Sequence, residues 1–169
     1  MPRRLRRHLD NDRLQLEDLL ARAFRREGEI DHLTYAEFRT ALFRHIAIEE
    51  TLLIPAAESV RASKALPTAD QLRRDHLALR ALLLPPPTLV ILTAIRAILV
   101  AHGVREARAG GLYQICEALP GPQAQAILAR LSEMPDPAAP RHVSGRKVMD
   151  TVRRALTRAG YDLRNYEPG

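Results

Sequence analysis

The stretch FRHIAIEETLLIPAAE, residues 43–58, places an apolar stripe and a polar pair on one helix. Phe43, Ile46, Leu53 and Ala57 recur at helical spacing and predict a face turned toward a core. His45 and Glu49 sit one turn apart beside that stripe, so imidazole and carboxylate share a side of the helix. A carboxylate taken out of water alone costs several kcal/mol or protonates, so an inward-facing Glu49 needs a cation.

The same spacing returns further on. His102-x3-Glu106 repeats His45-x3-Glu49, and between them Asp75–His76 precedes Leu79, Leu82 and Leu83. Three helices are thereby expected to bring His45, His76, His102, Glu49 and Glu106 to one point. Imidazole with carboxylate suits iron, manganese or zinc, and such sites are built in helical cores from facing helices. A lone histidine on a helix is usually a surface or satisfied core residue. The recurrence of the pair on two helices, with a histidine on the helix between, raises these residues above that background.

The surrounding chain reads as helices. One is expected from Leu5 to Arg26, with Leu5, Leu9, Leu16, Leu19, Leu20 and Ala23 on one face. GEIDHL breaks it. A second opens with a capping box, Thr34-x-x-Glu37, runs to about Ala62, and is kinked by Pro55. A third opens with another box, Thr68-x-x-Gln71, and stops before the triple proline 85–87. Thr88 starts a fourth, which reaches Arg108; Gly110–Gly111 ends it and 112–118 form a short helix. Short connections between four amphipathic helices predict an antiparallel up-down four-helix bundle over residues 1–119. Residues 120–169 read as a helical extension packed on the bundle or mediating contacts: a helix near 122–133, the linker MPDPAAP, and a basic helix near 145–159.

Composition narrows the alternatives. The chain has 169 residues, 46% of them hydrophobic, enough for a core, but only 4% aromatic and none of them Trp. The core is therefore expected to be Leu, Ile, Val and Ala in helices. Of 26 basic residues 24 are arginine, which with the alanine and leucine content fits a GC-rich bacterial genome. The net charge of +6 concentrates in MPRRLRR and RRALTR. No aromatics interleave with these arginines to stack bases and no nucleic-acid motif appears, so solvated helix faces are the better reading. The single cysteine, Cys116, excludes an internal disulfide and a cysteine-rich zinc site. No apolar stretch follows the charged N-terminus as in a leader, and LVILTAIRAILVA at 89–101 is short and holds Arg96. A cytoplasmic protein without membrane association is expected.

Taken together, FRHIAIEETLLIPA, LRRDHLALRALL and LVAHGVREARAGGLY resemble the hemerythrin-like (HHE cation-binding) family over residues 5–115. That family shows an H-x3-E helix followed by L-x-P-A, a DH-x2-L-x2-LL helix, and an H-x3-E or H-x4-D helix leading into LY. The resemblance implies a four-helix bundle around a non-haem di-iron centre that binds oxygen or senses iron, oxygen or NO. It implies His45, His76 and His102 as terminal ligands and Glu49 and Glu106 as bridging carboxylates.

Two positions depart from the pattern. Leu72 stands where oxygen-carrying members have the first histidine of H-x3-H. In DRLQLEDLL, residues 12–20, Arg13 stands where the first helix should supply a histidine. Arginine stays protonated and cannot donate a lone pair. Either Asp12, level with the site, or His8, one turn below, substitutes as ligand; or the Arg13 guanidinium forks onto Glu49 or Glu106 and replaces one metal's charge. The expected cofactor is iron, one ion or two, with zinc or manganese as alternatives. The expected small ligands are O2, NO or peroxide; a protein partner or a homodimer is compatible with the basic C-terminal helix. The competing reading is a helical adaptor whose pocket has degenerated. No catalytic triad is discernible, and an oxidase or peroxidase would rest on fold analogy alone.

Overall fold

The computed structural model describes residues 2–24, 28–61, 66 and 68–167. Among them every regular element is a helix, and one isolated bridge joins Phe24 to Ile30. No described helix is long and apolar enough to cross a membrane.

Helix α1 spans Pro2–Ala23. Proline suits a first helical position, where its missing N–H leaves no carbonyl unpaired. Leu5, Leu9, Leu16, Leu19, Leu20 and Ala23 are all buried, as their spacing predicts. The helix stops at Ala23, short of the expected Arg26, because Phe24 leaves it to pair with Ile30.

Helix α2, His32–Ile48, is capped differently from the sequence expectation. The Asp31 carboxylate accepts from the backbone N–H groups of Leu33 and Thr34. Thr34 is thus already in the first turn, and the Thr34–Glu37 box does not form. An aspartate three residues upstream offers a charged acceptor to the same orphan donors, which outcompetes a hydroxyl.

At Glu49–Leu53 the helix widens into a single π turn before continuing as α3, Ile54–Ser59. The Ile54 N–H reaches back five residues to the Glu49 carbonyl. Pro55 has no N–H to give, and the extra residue relieves its ring from the turn behind it. The expected kink is therefore a π turn. Helix α3 ends at Ser59, a little short of the expected Ala62, with Val60 at its cap and a turn at 60–61.

Helix α4 runs Ala69–Leu82. Thr68 is at its cap, but its side chain makes no capping bond and its Oγ1 is buried without a partner. Gln71 turns instead to Asp75 and to the Ala159 carbonyl, so this second box does not form either. Helix α5, Leu89–Ala107, does begin at Thr88, whose Oγ1 accepts from Ile91 N–H. Helix α6 is Leu112–Glu117, α7 is Gly121–Glu133, α8 is Arg146–Ala159, and a 3-10 turn covers Leu163–Tyr166.

Packing joins α1 to α2, and α4 to both α5 and α8; α6 lies against α1, α3 and α5, and α7 against α1. Val148, Val152, Leu156 and Ala159 form the buried stripe of α8, whereas Arg153, Arg154 and Arg158 of the basic run face solvent.

The apolar core falls into two clusters. One holds Leu16, Leu20, Phe38, Leu42, Leu79, Leu82, Ile95, Ile98, Val152 and Leu156; the other holds Leu5, Leu9, Leu52, Leu53, Leu72, Leu112, Tyr113 and Leu131. Helices α1 and α4, and α2 with its π turn, each contribute to both. The changeover falls at Asp12 on α1, at His45–Glu49 on α2, and at Asp75–His76 on α4.

Candidate metal centre

That changeover is a polar layer. His45, Glu49, Asp75, His76, His102 and Glu106 are all buried within it. Helices α2 and α5 reach it by the same device, a histidine and a glutamate four apart replacing one turn of an otherwise apolar face, while α4 supplies the adjacent Asp75 and His76 and α1 supplies Asp12.

His45, Glu49, His102 and Glu106 each offer one ligand atom within 4.8 Å of the others. His45 Nε2 lies 3.4 Å from Glu49 Oε1 and 4.0 Å from Glu106 Oε1. His102 Nε2 lies 3.2 Å from Glu49 Oε2 and 3.5 Å from Glu106 Oε1. His76 Nε2 joins from α4, 3.1 Å from Glu49 Oε2. Three imidazole Nε2 atoms thus converge on two glutamates.

The opposite nitrogen of each ring is held by its own acid. His45 Nδ1–H donates to Asp12 Oδ2 at 2.7 Å, His76 Nδ1–H to Glu50 Oε1 at 3.0 Å, and His102 Nδ1–H to Asp75 Oδ2 at 3.3 Å. A carboxylate on Nδ1 fixes the tautomer in which Nε2 carries the lone pair for a metal, and makes that nitrogen more basic. The acids are anchored in turn. Arg80 forks onto Glu50 at 3.1 and 2.8 Å. Asp75 accepts from Arg105 at 2.7 Å, from Gln71 at 2.9 Å and from the Tyr161 hydroxyl at 3.1 Å.

Electrostatics follow from the crowding of acids. Burial alone would lower the pKa of His45, but Glu49, the Asp12 hydrogen bond and Glu106 outweigh it and push it up to about 9. Burial acts the same way on His102, and Glu106 and Asp75 reverse it, leaving the pKa well above the ordinary value. Burial would raise Glu49, but His45 and its hydrogen bonds hold it well below the usual range. Glu106, raised first by burial and then by the charge of Glu49, is pushed up to about 7. Tyr113 and Cys116 border the layer. Burial first, and then Glu106 and Glu49, raise the Tyr113 hydroxyl, and the same causes bring the Cys116 thiol to about 12. Cys116 is therefore an inert buried thiol.

The donor set fits a cation. Glu49 Oε1 and Glu106 Oε1 are buried without a hydrogen-bond partner, both facing the converging imidazoles. Such orphan acceptors are costly unless something positive lies between them. Three nitrogens and two carboxylates are the hard-to-intermediate donors that iron, manganese and zinc accept.

The sequence reading placed five residues here that the structure does bring together: His45, Glu49, His76, His102 and Glu106. Its two first-helix candidates differ in fate. Asp12 reaches the layer but spends its carboxylate on His45 Nδ1, a positioning role. His8 is away from it, lining a surface cleft with Arg4, Arg7 and Asn11. Arg13 is not on the glutamates, which corrects the charge-replacement account. Among the described residues its ion pair is with Glu17 at 3.8 Å, and its stem lies along Gly103 of α5. One helical step beyond Asp12 carries Arg13 about 100° around α1, out of the layer. The roles of Glu50, Asp75, Arg80, Arg105 and Tyr161 were not foreseen. The one available signal was the acid directly preceding His76 and the acid directly following Glu49.

No protein-family model, no curated protein and no solved structure matches the chain.

Proposed function

We propose that the chain is a hemerythrin-like metal-binding protein in which α1, α2 with its continuation, α4 and α5 form an up-down four-helix bundle around one cation, iron in the first place and zinc or manganese otherwise. The observation that carries this reading is the threefold repetition of carboxylate, imidazole Nδ1, and Nε2 aimed at two buried glutamates, each with an unpartnered Oε1. His45, His76, His102, Glu49 and Glu106 are the ligands. With Asp12 engaged on His45 and His8 in a surface cleft, the donors suffice for one ion and not for two. Five donors leave a six-coordinate iron one position, which suits NO, O2 or peroxide and a role as sensor, store or scavenger.

Metal quantitation on protein produced with iron tests the reading directly. The expected content is near one equivalent per chain, lost in a His102→Ala variant that keeps its helical circular dichroism. Addition of NO to the ferrous protein is expected to produce new visible bands. Metal-free protein from iron-replete cells, with no uptake of iron, zinc or manganese in vitro, would end it. The degenerate-adaptor reading drew on Arg13 and on the basic C-terminal helix; the Arg13–Glu17 pair removes the first of these supports.

A further inference from the structure

A second feature lies outside the metal layer. Where α8 packs along α4, a groove with a cavity of about 650 Å³ opens beside Leu77 and Arg80 on α4 and Arg154 and Ala155 on α8. That volume falls in the range of small-molecule pockets. Its floor is apolar, formed by Leu77, Ala81 and Ala155, and Leu77 is 55% exposed, high for a leucine on a packed helix.

The groove has two unlike ends. The Gln71 bond to the Ala159 carbonyl shows that the start of α4 lies against the end of α8. Arg74 and Arg158 therefore share one end. Neither makes a hydrogen bond or ion pair among the described residues, and Arg154 has only the Thr151 hydroxyl as partner. Seven residues along α4 from Arg74, about 10 Å at helical rise, the lining becomes Ala81, Phe43 and Pro140. There Arg39 ties the lining residue Pro140 to the end of α4, donating to the Leu83 and Pro140 carbonyls at 2.9 and 2.8 Å. Unpaired guanidiniums at one end and an apolar lining at the other are complementary to a ligand with an anionic head and one apolar tail.

Midway along the groove sits Arg80, the residue that forks onto Glu50, which in turn holds His76 Nδ1. We propose that this groove binds one free acyl carboxylate, its head between Arg74 and Arg158 and its chain toward Phe43 and Pro140, and that the chain, passing Arg80 midway, shifts the fork on Glu50 and so reports to His76. The groove stands without the metal reading; only the significance of its link to His76 rests on that reading.

The test uses the full chain free of metal, so that the failure of either claim is separate from the other. Calorimetric titration with laurate is expected to give one saturable site, no binding of acetate or dodecanol, and weakening with added salt. An Arg74→Ala, Arg158→Ala double variant is expected to lose about 100-fold in affinity, the worth of two charge-assisted hydrogen bonds. Leu77→Asp is expected to abolish binding, with circular dichroism verifying the fold of both variants. In the wild type the ring nitrogen resonances of His76 are expected to move on saturation with laurate. In Arg80→Ala laurate still binds and they stay. Laurate binding that is non-saturable, or indifferent to Arg74 and Arg158, overturns the site. So does binding confined to acidic peptides or anionic vesicles. Saturable laurate binding with unmoved His76 signals overturns the link.

Discussion

Metal binding to the layer is expected to be strongly proton-coupled, and the size of the effect can be worked from its groups. In the metal-free chain at neutral pH, His45, raised to about 9, and His102, held well above its ordinary value by Glu106 and Asp75, each carry a proton on both ring nitrogens. A metal needs Nε2 unprotonated, so loading releases one proton from each. Glu106, at about 7, adds a third proton below neutrality. The apparent affinity should therefore rise about 100-fold per pH unit from pH 7 to 8, and more steeply from pH 6 to 7. The assay is zinc titration against a competing chelator of known pH dependence, at half-unit steps from pH 6 to 8. A parallel titration in weak buffer measures proton release. An apparent affinity that changes less than about threefold per unit, or release of less than one proton, would refute the assigned protonation and with it the inward orientation of both imidazoles.

Other expectations follow from the same geometry. Asp12→Asn keeps the shape beside His45 but removes the charge on Nδ1, and should weaken metal binding about 10- to 100-fold in chelator competition without loss of helicity. Arg13→His should add no second metal equivalent by elemental analysis, because this position faces Gly103 and Glu17 and not the glutamates. The metal-free chain should lose stability as pH rises. His45 is raised from 6.5 to about 9, so its contribution is complete below pH 6.5 and gone above about 9. It amounts to about 3 kcal/mol, and Glu106 acts in the same direction between its ordinary value and about 7, as denaturant melts across that range will read out. Leu79→Ala, in the apolar cluster on the α8 side, should cost about 3 kcal/mol in the same melts.

How far the sequence revealed this site depends on which signals are local. Within one helix, i and i+4 fix a shared face, so His45 with Glu49 and His102 with Glu106 could be read as pairs, and His76 as their neighbour. The burial of Leu5, Leu9, Leu16 and Leu20 was legible for the same reason. The acids behind the rings were not, because Glu50, Asp75 and Asp12 each serve a histidine on another helix, and the register between helices has no sequence signature. Glu50 is a special case. At the start of the π turn the adjacent Glu49 and Glu50 address opposite nitrogens of the same His76 ring, a pairing that helical periodicity does not announce. Capping was misread at Thr34 and at Thr68, for different reasons. At Thr34 a stronger acceptor, Asp31, stood just upstream. At Thr68 the distant Ala159 carbonyl claimed the glutamine that would have closed the box.

The division of the core into two apolar clusters has a consequence for how the molecule comes apart. A stack of leucines transmits cohesion along a helix, whereas a stratum of acids and imidazoles transmits it only while its charges are balanced. With a cation in place, the stratum acts as a rivet and the two halves should melt in one transition. With the cation stripped, and more so as alkali discharges His45, the half built on α3, α6 and α7 is free to open while the half around Leu79 and Val152 stays closed. Amide exchange would then show two protection plateaus in place of one, and the cooperativity of unfolding would itself report occupancy.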